Sequence, residues 1–250
     1  MKILSFAILV VTISCAQKSG VEESVVDPTL SFRTETVVRE SCVGENCAKL
    51  RLSWPVASGP AAAGKINQYI RDQMSLFVQT GEDAALLDTM IVAYFRSFDE
   101  FKSEFPDSYG GWEIEVEAKV SYQSDKTLSI YFSQFSYLGG AHPNSAVSFL
   151  NIDPKSGEAL SLDQLVLDEN SLLKLSEQKF RAYHEVEEGL SLSEDGRFFL
   201  PETGFFLANA IGFKEGKFWV IYIPYEIGPY VMGSTELDFS KEELSGVVRW

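Results

Sequence analysis

Histidine is nearly absent: the 250 residues hold two, His142 and His184. They do not stand at the helical spacing that would set two imidazoles on one face, so the usual histidine motif of a helical metallohydrolase site is missing. No serine elbow, dinucleotide-binding glycine fingerprint or phosphate loop occurs, and no repeat period is visible. Positive charge is short as well. Lys and Arg number 21 against 36 Asp and Glu, a formal net charge of −15. Such a balance argues against nucleic acid as a partner and favours solubility, calcium or a basic protein, with a plain solvated exterior as the simplest alternative. Cysteine is limited to Cys15, Cys42 and Cys47. Beyond the opening run, no apolar stretch is long enough to span a bilayer as a helix.

What is present is core material, 45% hydrophobic and 13% aromatic, enough for a sizeable fold. The chain opens with Lys2 and the apolar run Ile3–Ile13, which reads as an export signal. Thr12-Ile13-Ser14-Cys15 then looks like a bacterial lipobox, with Thr12 where a leucine is usual. On this reading residues 1–14 are a lipoprotein signal peptide and Cys15 becomes the acylated first residue of the mature chain. It would hold the protein to a membrane face outside the cytoplasm, at the outer membrane or cell surface. Residues 15–29 are small, polar and acidic and suit a tether; residues 30–250 are expected to form a single domain. In an exported protein the close pair Cys42 and Cys47, with a glycine between them, reads as a local disulfide. A metal site is the weaker alternative, since no further Cys or His lies nearby to complete a shell.

Periodicity assigns the elements. Leu30–Glu40 and Lys49–Trp54 read as a first hairpin stapled at its turn, broken at Pro55–Gly64. Ile66, Tyr69, Ile70, Met74, Phe77 and Val78 form a helical stripe. A second stripe runs from Leu86 through Phe98, with Asp83 as a possible cap and Pro106 as its end. Trp112–Gln123 alternates strictly between apolar and polar, and the chain turns at Ser124-Asp125-Lys126 to return through Leu128, Ile130 and Phe132. Ser145–Ile152 is a further strand. A helix is expected over Ser171–Tyr183, capped by Asn170 and ending near His184. Phe205–Phe213 and Lys217–Ile223 read as a hairpin whose second arm is apolar on both faces and therefore central. Glu236–Phe239 then closes the sheet. Early helices followed by strands give an α+β fold, mainly an antiparallel sheet packed against two or three helices.

Two irregular stretches concentrate unusual chemistry. Tyr137-Leu-Gly-Gly-Ala-His-Pro143 breaks a hairpin arm with Gly139 and Gly140, and Pro143 forbids a helix through His142. Pro224-Tyr-Glu-Ile-Gly-Pro-Tyr230 interrupts the late strands with Tyr225, Glu226 and Tyr230. Tyr137, Gly139, Gly140, His142, Tyr225, Glu226 and Tyr230 are the candidate binding residues; no catalytic or metal residue and no cofactor is assigned. His142 can equally be a loop histidine bonded to neighbouring backbone, and Glu226 a buried carboxylate accepting from glycine-loop amides. A hydrolase would need a positioned acid and base, such as Glu226 with Asp153 or His142.

Several ordered pieces resemble the RsiV-like domains of bacterial envelope proteins. They are Trp54-Pro55 with Ile66-Asn67-Gln-Tyr-Ile70, Gly140-Ala-His-Pro143, Asn151-Ile-Asp153 with Ser156-Gly157 and Leu160-Ser-Leu162, and Ile223-Pro-Tyr225-Glu226-Ile-Gly-Pro229-Tyr230 with Gly233. The resemblance covers roughly Lys49 to Leu244. It implies an extracytoplasmic α+β module, known in one branch as the outer part of a lysozyme-binding anti-sigma factor and in another as a segment preceding a peptidoglycan deacetylase domain. The sigma-binding segment and the deacetylase domain have no counterpart in the sequence, so neither full function carries over. The expectation is a lipid-anchored envelope binding module whose partner is a basic, lysozyme-like protein or a cell-wall glycan. A glycan-processing hydrolase or deacetylase-type enzyme, and a structural accessory protein, are the rivals.

Overall fold

The computed structural model describes residues 29–79 and 86–250. The expected signal peptide, Cys15, the tether before Thr29 and the proposed cap Asp83 lie outside them. The chain runs β1 (Ser31–Val43), β2 (Asn46–Ser58), α1 (Ala62–Val78), α2 (Leu87–Glu104), β3 (Trp112–Gln123), β4 (Leu128–Tyr137) and β5 (Asn144–Ile152). It continues through α3 (Leu162–Leu165), α4 (Glu169–Tyr183), α5 (Leu192–Asp195), β6 (Ala210–Lys214), β7 (Lys217–Tyr222) and β8 (Thr235–Phe239).

The fold is α+β, but the strands form two sheets where the sequence suggested one. The first has the order β1-β2-β3-β4-β5, the second β6-β7-β8. The first is mixed: β2 and β3 run parallel, the other neighbours antiparallel. A parallel pair needs a long crossover, and α1 and α2 supply it. They cover the inner face, where Leu50, Leu52, Trp54, Ile114, Val116 and Phe132 pack against Ile66, Ile70, Met74, Ile91, Tyr94 and Phe98. Each fully buried side chain of this kind contributes roughly 1.5–3 kcal/mol relative to exposure. The second core gathers Leu172 and Phe180 of α4 under Phe213, Phe218, Val220, Tyr222 and Phe239. β7 is central there, as its two apolar faces require.

Four local expectations change. β2 does not stop at Trp54 but runs through Pro55 to Ser58. Its pairing with β3 ends at Ser53, so Pro55 has a neighbour on one side only, where a missing N–H is tolerated. Phe205–Asn209 is not strand; β6 begins at Ala210. Helix α4 is capped by Asp168, which accepts from the Ser171 amide, rather than by Asn170. Leu86 is 76% exposed and precedes α2 instead of packing within it.

The two sheets meet on the outer face of the first. Gly212 of β6 approaches Phe149 so closely that an added Cβ would lie 2.5 Å from the ring. Around it the Ser121 hydroxyl donates to the Phe213 carbonyl (2.6 Å), the Phe213 amide to the Ser129 hydroxyl (3.3 Å) and the Asn151 amide to the Ile211 carbonyl (2.8 Å). The second sheet thus sits on the Ser129–Asn151 end of the outer face and leaves the His142 end open.

Candidate functional site

At that open end the two irregular stretches converge. The loop between β4 and β5 carries His142, and the segment after β7 carries Tyr225 and Tyr230. The imidazole stacks on Tyr230 with ring centroids 4.2 Å apart and lies 6.4 Å from the Tyr225 ring, while the two tyrosines are 5.6 Å apart. Nδ1 of His142 donates to the Pro143 carbonyl at 3.0 Å, which leaves Nε2 as acceptor for the Tyr225 hydroxyl at 3.5 Å. The Tyr230 hydroxyl donates to the same Pro143 carbonyl (3.2 Å). The loop-histidine reading is therefore satisfied at Nδ1, and the ring face and Nε2 still serve the cluster.

Backbone geometry holds these rings out. Tyr225 has φ 71°, in the left-handed region that tyrosine rarely adopts, and is 56% exposed. Behind it Glu226 fixes the turn: one carboxylate oxygen accepts from the Asn209 backbone amide (2.7 Å) and side-chain amide (2.8 Å), the other from the Ile223 amide (2.9 Å). Glu226 is half-buried rather than buried, and its donors are Asn209 and Ile223 rather than glycine amides. All three donors belong to the backbone or side chain of the segments the carboxylate joins. Leu138 and Val231 add exposed apolar surface, one on each segment.

A groove of about 320 Å³ lies on the open outer face, lined by Glu115 and Glu117 of β3, Ser133 and Phe135 of β4, Ser145 and Val147 of β5, and Ser234. Register gathers them: Glu115 faces Phe135 and Phe135 faces Ser145, while Glu117 faces Ser133 and Ser133 faces Val147. Arg51 (3.3 Å) and Lys119 (2.8 Å) pair with the two carboxylates at the exposed rim. Such exposed pairs contribute little to stability and leave the acids open to exchange partners.

Tyr137 and Gly139 turn to a different place. A second groove of about 390 Å³ is lined by Tyr137, Trp112, Glu113, Lys49, Cys47 and Gly110. A Cβ on Gly139 would contact the Trp112 indole at 3.5 Å, and one on Gly140 would meet only the His142 carbonyl at 3.9 Å. Of the seven candidates, then, His142, Tyr225 and Tyr230 form one cluster, Glu226 and Gly140 lie beside it, and Tyr137 and Gly139 stand apart. Sequence reasoning missed Phe135, Glu115, Glu117 and Asn209, because on their own strands they read as an ordinary wet face or loop.

Among the described residues, no hydrogen bond joins Glu226 to Asp153 or to His142, the two pairings a hydrolase reading offered; each carboxylate is bonded elsewhere. Asp153 is spent on Arg249 and on the Lys155 and Ser156 amides; although its partial burial opposes ionisation, these donors hold its carboxyl below the usual range. The carboxylate of Glu226 is occupied by its three donors. Among the described residues, the one cluster with metal-ligating atoms is Glu40, Cys42 and Cys47, and the two sulfurs are bonded to each other. A disulfide offers no thiolate, so this set does not fit a metal.

Residues 42–145 match the family described as Deacetylase PdaC, and residues 165–242 match the Protein of unknown function (DUF3298). The peptidoglycan-N-acetylmuramic acid deacetylase PdaC of Bacillus subtilis (strain 168) is 24% identical over 140 residues, covering 55% of this chain and 29% of that protein. The chain therefore spans less than a third of that relative's length. Two crystal structures share the fold. One is a DUF3298 family protein from Pseudomonas aeruginosa PAO1, with TM-score 0.63 and 21% identity over 88% of this chain and 95% of that one. The other is a DUF3298 family member from Bacteroides fragilis NCTC 9343, with TM-score 0.66 and 18% identity over 90% and 95%. His142 lies near the end of the first matched segment, and Tyr225 and Tyr230 lie inside the second. The ring cluster is built where the two matched regions meet.

Proposed function

We propose that this chain is a non-catalytic binding module of the bacterial cell envelope, of the RsiV-like kind, that holds cell-wall glycan at the His142, Tyr225 and Tyr230 rings. The observation that carries the reading is Tyr225. A tyrosine held out in solvent on strained backbone, beside two further rings, has no packing purpose that a smaller residue would not serve. Aromatic faces and hydroxyls suit the apolar faces and hydroxyls of sugar rings, and the adjoining groove has serine and carboxylate groups for the polar substituents. The likeness to a peptidoglycan deacetylase over 55% of the chain supports a cell-wall ligand. The carboxylates of Glu226 and Asp153, each occupied by its own donors, favour binding over hydrolysis or deacetylation.

In this reading Cys15 carries the lipid that tethers the module outside the cytoplasm; acyl labelling lost on Cys15→Ser checks the anchor. Retention of the full chain on purified insoluble peptidoglycan, reduced at least fivefold by Tyr225→Ala with Tyr230→Ala, is the expected result for the site. Equal retention of the variant and the parent removes it.

A second reading has a specific observation behind it. The exposed acids Glu115 and Glu117 beside the rings, on a chain of net charge −15, would steer a basic protein such as lysozyme. Capture of lysozyme at low salt that weakens at moderate salt supports it; no capture at either removes that partner.

A further inference from the structure

β1 is the outer strand of the five-stranded sheet, and no strand among the described residues pairs with its free edge. It is thirteen residues long, about twice the usual strand, and its register against β2 runs from Ser31 opposite Ser58 to Val43 opposite Asn46 without a bulge. It contains no proline, lysine or glycine. Edge strands are ordinarily kept from pairing by such features, by shortness or by charged side chains, and of these β1 has only charges, Arg33, Glu35, Arg39 and Glu40.

The charges on β1 are arranged for self-pairing. An antiparallel copy that matches all thirteen residues must centre on Val37, and that register sets Glu35 of each copy against Arg39 of the other. It leaves no like charges opposed: Arg33 faces Ser41 and Glu40 faces Thr34. Sliding the copy by one pair toward the N-terminus would put Arg33 against Arg39, a repulsive pairing. The Val37-centred register also keeps faces consistent. Glu35 and Arg39 stand opposite Trp54 and Leu50, on the face covered by α1 and α2, so both copies carry their helices on one side of the joined sheet. Arg39 is exposed and has no ion-pair partner among the described residues, while Glu35 has a 3.7 Å contact with Arg33.

We infer that the chain forms a two-fold dimer through β1, joining the two sheets into one of ten strands. Main-chain hydrogen bonds supply the attraction, and the paired Glu35 and Arg39 select the register. This interface lies on the opposite edge of the sheet from β5 and the ring cluster, so it stands or falls independently of the ligand.

The test uses full chains carrying two different affinity tags. Wild-type chains are expected to capture each other. Glu35→Arg places Arg against Arg twice, Arg39→Glu places Glu against Glu twice, and each is expected to lose self-capture at least tenfold. A mixture of the two single variants restores both pairs in trans, so the Glu35→Arg chain should capture the Arg39→Glu chain to within threefold of wild type. That recovery also proves both variants folded. The double variant Glu35→Arg/Arg39→Glu, which restores the pairs with reversed polarity, should self-capture like the parent. Absence of wild-type self-capture, capture unaffected by the single reversals, or failure of both the mixture and the double variant to recover overturns the inference.

Discussion

The imidazole of His142 lies 23° from parallel with the ring of Tyr230, centroids 4.2 Å apart, although one belongs to the connection between β4 and β5 and the other to the segment after β7. Because the two strands pairs sit in different sheets, this contact exists only when the second sheet is seated on the first. Ring stacking of this sort contributes about 0.5–1.5 kcal/mol beyond area burial, too little to hold two sheets together. The sheets hold the rings, not the reverse, and the cluster reports on their seating.

Seating depends on Gly212. A methyl group there would stand 2.5 Å from the Phe149 ring, and that ring is confined by Tyr131 at 5.1 Å. Gly212→Ala should destabilise the fold by roughly 1–3 kcal/mol through overpacking. Urea unfolding monitored by tryptophan fluorescence measures this; a change under about 0.5 kcal/mol would mean the sheets part without cost.

Glu226 anchors the Tyr225 turn from behind. Replacing it with Gln turns one acceptor oxygen into a donor that confronts an amide N–H, either from Asn209 or from Ile223. Leaving such a donor unmet costs about 1–3 kcal/mol, so Glu226→Gln should lower the unfolding free energy by that amount. A catalytic carboxylate would instead tolerate the change in stability, and chemical denaturation separates the two roles.

His184 ends α4 with its Nε2 at 2.8 Å from the buried Thr235 hydroxyl and its ring against Phe180 and Phe198. Burial is the main cause of its lowered pKa; nearby Arg197 adds to it and Asp195 opposes it. The folded state therefore favours the neutral ring. Its stabilising contribution is full above the unfolded value of about 6.5 and is lost as pH falls through the lower folded value. The melting temperature should drop as pH is lowered from 7, and His184→Gln should flatten that part of the profile. An unchanged slope would assign the acid sensitivity to other groups.

Much of this architecture was legible because the signal is local. The alternation of Trp112–Gln123 fixes which face is wet, and β3 occupies those residues. The Cys42–Cys47 staple follows from a short spacing in a chain read as exported, and the bond is present. Misreadings arose where a local rule met a distant neighbour. Pro55 reads as a breaker but lies where β2 has lost β3, and Asp168 caps α4 from a position that looks like loop. The division into two sheets depends on Gly212 meeting Phe149, a contact between residues 63 apart that periodicity cannot express. At the site, the glycine and proline breaks identified His142, Tyr225 and Tyr230, whereas the groove of Glu115, Phe135 and Ser145 appears only once three strands are in register.

Tyr225 separates a structural ring from a ligand-contacting one, because its backbone and its side chain make opposite demands. At φ 71° a residue with a Cβ is strained by about 1–2 kcal/mol, a cost that glycine does not incur. Glycine adds about 0.5–1 kcal/mol of unfolded-state entropy, which offsets most of that relief. The residue is 56% exposed, so removal of its ring forfeits little buried surface. Tyr225→Gly should therefore fold with stability within about 1 kcal/mol of the parent, and Tyr225→Ala, which keeps the strain and loses the ring, should be the less stable of the two. If sugar rings rest on this side chain, both variants lose retention on insoluble peptidoglycan, and the stable glycine variant loses it as fully as the alanine one. Urea unfolding and the retention assay on the same preparations give the answer. A glycine variant destabilised by more than about 2 kcal/mol would make the ring a packing element. One that is stable and still retained would take Tyr225 out of the contact surface, and with it the observation on which the glycan-binding proposal stands.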